Sequence, residues 1–152
     1  DHPCAVLTPH AGEFKRLYAA ALGRELDLSK GLGVRLRELS DALDCFILHK
    51  GRITTVTAPG QTIYGMNAGH SYAATAGSGD VLSGILGATL AQLDIAEVDA
   101  EAIIMEILHA GAIHQHAAAI AAHTPDGFGL CSASQIAAAV PQAIARLLVM
   151  QR

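Results

Sequence analysis

The stretch AATAGSGDVLSGILGATLAQ, residues 73–92, constrains this chain more than any other. Gly77, Ser78 and Gly79 run straight into an apolar-periodic helix that the pattern starts near Asp80. Small residues at such a junction let the backbone approach a ligand closely, and the helix start aims free amides and the positive end of its dipole outward. Phosphate is the natural occupant, so Gly77, Ser78 and Gly79 are read as a phosphate cradle. Gly79 is also a position where a backbone angle open only to glycine would fit. Asp80 stands at the edge of the turn as its only ionisable side chain. A carboxylate beside phosphate is electrostatically unfavourable, and a chemical task accounts for it: deprotonating a hydroxyl that attacks a terminal phosphate. The plainer alternative is that Ser78 or Asp80 caps the helix. The spacing matches neither the Lys-containing phosphate loop nor the GxGxxG dinucleotide turn.

The rest of the chain fits a single α/β domain of ordinary size. It has 152 residues, 51% of them apolar and 16% charged, enough for a genuine core. A formal charge of -4 without any Lys/Arg run gives nucleic acid no basic field to bind. No apolar stretch reaches the roughly 18 to 20 residues of a membrane span, and no signal-peptide pattern is present; the cytoplasm is the expected location. Cys4, Cys45 and Cys131 are odd in number, far apart and in apolar surroundings, which favours buried reduced thiols over a disulfide framework or a zinc site.

Cys4 to Leu7, Cys45 to Leu48 and Ile53 to Thr57 read as buried strands, and Thr62 to Met66 as the return strand of a hairpin turned at Pro59 and Gly60. Helices are expected over Ala11–Leu22, Leu28–Leu43, Asp80–Gln92, Val98–Ala122 and Ala133–Met150, the last broken near Pro141. Residues 123–131, with Pro125, Asp126 and two glycines, read as an irregular loop. Strands that alternate with helices and then give way to helices make a layered α/β domain.

In open α/β sheets, ligands bind beyond the carboxyl ends of strands. Two predicted strands end in suggestive segments. KGRIT offers Lys50 as a point charge for phosphate and Thr54 as a hydroxyl, with Gly51, Arg52 and Ile53 between them. LTPHAGEF places His10 behind the stiff Pro9, and Glu13 near the next helix start, where capping is its expected role.

PHAGE, KGRIT, ATAGSGDVLSGILGATLAQ and CSASQIAAAVP together resemble, in order and spacing, the C-terminal part of the NAD(P)H-hydrate dehydratases, which are carbohydrate-kinase-like members of the ribokinase-like superfamily. The resemblance runs from Val6 to about Ala143. It implies a three-layer ribokinase-like α/β fold, of which residues 1–152 would be the C-terminal half of the domain. The implied activity is that of a hydro-lyase that uses ADP or ATP, with Mg2+, to restore NADH or NADPH from the hydrated nicotinamide. By position, His10 would contact the hydrate, Lys50 to Thr54 would line the nucleotide site, Gly79 would touch its phosphate, and Asp80 would face the substrate hydroxyl as base. A homo-oligomer is expected. Two other readings compete: a small-molecule kinase of the same superfamily, and a nucleotide-binding or oligomerisation module without catalysis.

The chain also departs from the family pattern. Gly69, His70, Ser71 and Tyr72 stand where a glycine-rich GNPG is frequent, Ala76 replaces a frequent glycine, and the long helix has His109 and then His114 where an Asp is common. His109, His116 and His123 recur every seven residues, but two helical turns separate neighbours by about 10 Å and no carboxylate or cysteine accompanies them at ligand spacing. No metal site is assigned to them; with His114 they are expected at the surface or between subunits.

Overall fold

The run Phe46–His49 is buried at every position, the signature of a strand covered on both faces. The computed structural model describes residues 5–67 and 71–150. In chain order the elements are β1 (Val6–Leu7), α1 (Ala11–Leu22), α2 (Leu32–Leu43), β2 (Phe46–His49), β3 (Ile53–Thr57), β4 (Tyr64–Asn67), a single 3-10 turn (Ser71–Ala73), α3 (Ser78–Leu90), α4 (Ala100–Ala122), β5 (His123–Thr124), β6 (Gly127–Phe128) and α5 (Ala133–Met150). The main sheet has the order β1-β2-β3-β4, with β1 parallel to β2 and the remaining neighbours antiparallel.

Strand alternation sorts the β2 side chains into two cores. Ile47 joins Phe14 and Tyr18 of α1 and Leu36 and Leu39 of α2 on one face. Phe46 and Leu48 join Leu82, Ile85 and Leu86 of α3 and Ile103, Ile104 and Ile107 of α4 on the other. Each fully buried side chain of this kind contributes about 1.5–3 kcal/mol, so the sheet is clamped from both sides. The result is three layers, as expected. A third cluster fastens α5 to α4, with Ile136 packed among Ala117, Ala118, Ala122 and Ala143, alanines that let the helices approach closely.

Several boundaries differ from the sequence reading for physical reasons. α2 starts at Leu32 rather than Leu28 because Gly31 takes a left-handed φ of 88° and its N–H closes a turn onto the Leu28 carbonyl. α5 passes through Pro141 unbroken; Pro141 is exposed, so the carbonyl it deprives of a partner lies on a face that water reaches. The segment read as an irregular loop contains the short antiparallel hairpin β5-β6. Cys45 and Cys131 are buried free thiols, and Cys4 lies outside the described residues. Among the described residues no helix is long and apolar enough to cross a membrane.

Candidate functional site

β1 and β2 are parallel, so their carboxyl ends reach the same edge of the sheet. The chain continues that pairing one step further. The Lys50 N–H donates to the Pro9 carbonyl at 2.8 Å, and His10 and Lys50 form an isolated parallel bridge. The segments after both strands therefore open side by side, opposite the start of α3. Between them lies a cavity of about 620 Å³. His10, Lys50, Gly51, Arg52 and Thr54 line one side, and Ser78 and Gly79 the other. Leu48, Leu82 and Gly111 give it an apolar wall, and His114 and Gln115 enter from α4. Seven of the residues selected from the sequence thus share one cavity.

Three do not line it. Ile53 is 59% exposed, because strand alternation turns it away from the face that carries Thr54. Gly77 serves through its backbone instead. It caps α3 with φ 81°, in the left-handed region, and a Cβ there would also meet the Ala133 side chain at 3.2 Å. Asp80 is exposed in the first turn of α3, one residue beyond the cavity wall. Neither Ser78 nor Asp80 caps the helix, since no side chain bonds to its start.

The turn offers fewer free amides than its composition suggests. Ser78 N–H donates to the Thr75 carbonyl at 3.2 Å, and the Asp80 and Val81 N–H groups donate to the Gly77 carbonyl at 3.1 and 3.3 Å. Among the described residues the Gly79 N–H has no backbone acceptor. Gly79 is not in the left-handed region; what requires glycine is proximity. A Cβ at 79 would sit 3.3 Å from Lys50 Nζ, so the ammonium group lies against the bare Cα.

Lys50 is held from behind by Glu13, whose Oε2 is 3.8 Å from Nζ. Glu13 also accepts from the His10 N–H at 2.8 Å, and that bond foremost, with Lys50 contributing, lowers its pKa. His10 reciprocates: its Nδ1 accepts from the Gly12 and Glu13 N–H groups at 3.0 and 3.3 Å, completing a capping box at α1. His10 is therefore a helix cap as well as a cavity residue. With Nδ1 accepting, the ring proton of neutral His10 resides on Nε2, which lies 3.5 Å from Glu13 Oε1.

His114 is the site residue that the sequence reading missed. It is buried, not at the surface, and its Nε2 lies 2.9 Å from Ser78 Oγ and 3.0 Å from the Ser78 carbonyl. Burial pushes its pKa below the usual histidine value, against the raising effect of the Ser78 bond, and Lys50 lowers it further. A signal was available: Ile107, Gly111, His114 and Ala118 recur at spacings of three and four on the buried stripe of α4. His109 and His123 are exposed, His109 pairing with Glu106 at 3.8 Å and His123 meeting the Phe128 ring edge-on. Among the described residues no three His, Cys, Asp or Glu side chains converge to hold a metal ion. Of the segment that departs from the GNPG pattern, Gly69 and His70 lie outside the described residues, whereas Ser71 lines the cavity.

Comparison with known proteins identifies the family and the fold. Residues 2–139 match the family model described as NAD(P)H-hydrate dehydratase. The chain is 40% identical over 158 aligned positions to a bifunctional NAD(P)H-hydrate repair enzyme of Corynebacterium glutamicum, covering 93% of this chain and 27% of that protein. It is 36% identical over 87 positions to an ADP-dependent (S)-NAD(P)H-hydrate dehydratase of Neisseria meningitidis, covering 57% of this chain and 28% of that one. Its fold matches an ADP/ATP-dependent NAD(P)H-hydrate dehydratase from Bacillus subtilis co-crystallized with ATP/Mg2+, with a TM-score of 0.70, 24% identity, and coverage of 93% of this chain and 47% of that one. A ribokinase-like superfamily protein of Enterococcus faecalis matches with a TM-score of 0.72 at 23% identity, over 95% of this chain and 45% of that one. The fold is thus ribokinase-like, and the chain spans about a quarter of the length of these two curated relatives.

Proposed function

The chain belongs to the NAD(P)H-hydrate dehydratase family, and from that premise we propose that its cavity holds the phosphate end of ADP or ATP during dehydration of NAD(P)H hydrate. The observation that carries the reading is the meeting of Lys50 Nζ with Gly79, which brings a cation close to a residue whose N–H has no backbone acceptor among the described residues. Arg52 adds a second positive group on the same wall. Such a point suits a terminal phosphate, whose charge both groups would offset.

The reaction is written in two steps. The ring hydroxyl of the hydrate attacks the terminal phosphorus, breaking the bond to the nucleotide's bridging oxygen and losing its proton to a base. The resulting phosphate ester departs with the hydroxyl oxygen as the ring nitrogen supplies electrons, and loss of a neighbouring ring proton restores the dihydropyridine. Asp80, at the edge of the turn, is the carboxylate proposed as base, and His10, which lines the opposite wall, is the residue proposed to contact the hydrate. A magnesium ion would be carried mainly by the nucleotide phosphates and water, which leaves Asp80 free for its role as base. Among the described residues the cavity wall carries no carboxylate and no cluster of ligating side chains, so the ion would come and leave with the nucleotide.

The match to 47% of the B. subtilis chain supports reading residues 1–152 as part of a longer ribokinase-like domain, which we propose acts in the cytoplasm as a homo-oligomer. A small-molecule kinase of the superfamily would share the phosphate turn but release a stable phosphorylated product. The test is incubation of the intact protein that carries this chain with hydrated NADH, magnesium and either ADP or ATP. Return of the reduced-nicotinamide absorbance, with release of inorganic phosphate, is expected; a stable phosphorylated product with no such return would replace the dehydratase reading by the kinase one.

A further inference from the structure

Ser78 carries two oxygens within hydrogen-bond distance of one histidine nitrogen, and that pair of contacts fixes a proton. The Ser78 carbonyl can only accept, and it lies 3.0 Å from His114 Nε2. Were Nε2 unprotonated, its lone pair would face that of the carbonyl at the same distance. Both contacts are favourable only when Nε2 carries the hydrogen and shares it between the carbonyl and Ser78 Oγ at 2.9 Å. The Ser78 hydroxyl then accepts from His114 and keeps its own hydrogen free. Among the described residues it has no other partner, and it belongs to the cavity wall beside Gly79.

We propose that His114 is a positioning residue that, by donating from Nε2, turns the Ser78 hydroxyl into a hydrogen-bond donor aimed into the cavity, where it joins Lys50 and the Gly79 N–H in holding a nucleotide phosphate. The ligand class rests on the function proposed above; the orientation of the hydroxyl rests on the two contacts alone. An acceptor-only side chain at position 114, such as a carboxylate, could not make the same arrangement. It would take the hydroxyl hydrogen for itself and leave Ser78 Oγ facing an anion with lone pairs. The identity of residue 114 therefore decides whether Ser78 attracts or repels phosphate.

The experiment has two arms, both on the intact protein. In the first, nitrogen-15 spectra of the imidazoles, with His114 identified by its loss in His114→Gln, report which ring nitrogen is protonated. A proton on Nε2 at neutral pH is expected, and one on Nδ1 with Nε2 bare overturns the proposal whether or not nucleotide binds. In the second, ADP affinity with magnesium is measured calorimetrically for a mutant cycle. Ser78→Ala should weaken binding about tenfold in the wild-type background, the scale of one hydrogen bond to a charged group. It should change binding by less than about twofold when His114 is already Leu, because the hydroxyl is no longer oriented. His114→Gln, which keeps an N–H at the reach of Nε2, should stay within about threefold of wild type and preserve the Ser78→Ala effect. Equal losses from Ser78→Ala in every background would overturn the proposal. If the wild type binds neither ADP nor ATP, the nucleotide reading fails while the spectra still decide the hydroxyl's orientation. Should His114→Leu not fold, the Gln variant and the spectra decide between the two outcomes.

Discussion

Lys50 and Gly79 show how a single contact can define a site. The ammonium lies 3.3 Å from where a Cβ at 79 would be, so a bulky side chain there pushes the cation aside. Gly79→Val is expected to weaken nucleotide binding by at least about tenfold, the loss of one charge-assisted bond or more. An unchanged dissociation constant by calorimetry would remove the phosphate from this turn. Asp80 poses the complementary question, since it sits just outside the cavity wall. If it is the base, Asp80→Asn leaves ADP affinity nearly intact while turnover falls by about a hundredfold or more. Full activity in that variant would reassign proton transfer to another group. Both residues were visible in the sequence as a small-residue turn before a helix. Their division of labour was not, because whether position 79 or 77 takes the left-handed angle depends on how α3 meets α5: at Gly77 a Cβ would strike Ala133.

At the scale of the element, β2 carries a charge-capable side chain into an apolar layer. His49 is only 6% exposed, packs edge-on against Phe14 at 5.4 Å, and has a buried Nδ1 without a partner among the described residues. Burial lowers its pKa from 6.5, with His10 adding to the effect, and burial does the same for His114. The sign follows directly. A folded-state pKa below the unfolded one means the unfolded chain takes protons first, so this contribution is fully present above about pH 6.5 and is lost as the pH falls through the folded values. Thermal melts should therefore move to lower temperature between pH 7 and pH 5. His49→Leu removes one of the two groups and the unpaired nitrogen, so its melting temperature should fall less steeply over the same range. A slope equal to the wild type's would show that His49 is not buried in neutral form. The strand itself was legible from its apolar run. Its polar last residue was not, because a histidine that ends a strand normally reaches water, and only α1 folding over it prevents that.

For the whole molecule, apolar surface remains uncovered beside a sheet edge. β1 ends the described sheet, and a groove of about 510 Å³ runs past it along Leu7, Pro9, Leu17 and Ala20. Phe128, Leu130, Leu148 and Val149 are exposed as well. Open edges and apolar patches favour association, so the isolated 152-residue chain is expected to self-associate in light scattering and to lack turnover. A monomer that converts hydrated NADH with ADP at about 1 per second or faster would refute both expectations. By itself the sequence determined the layered α/β class, the strands of the main sheet, the five helices apart from their ends, and the small-residue junction before α3, because hydrophobic periodicity and small-residue junctions act over neighbouring positions. Tertiary structure alone decided which of the marked residues meet. The parallel docking of β1 on β2 brings His10 to Lys50, and the packing of α4 under α3 puts His114 against Ser78, a contact across 36 positions that no local pattern encodes.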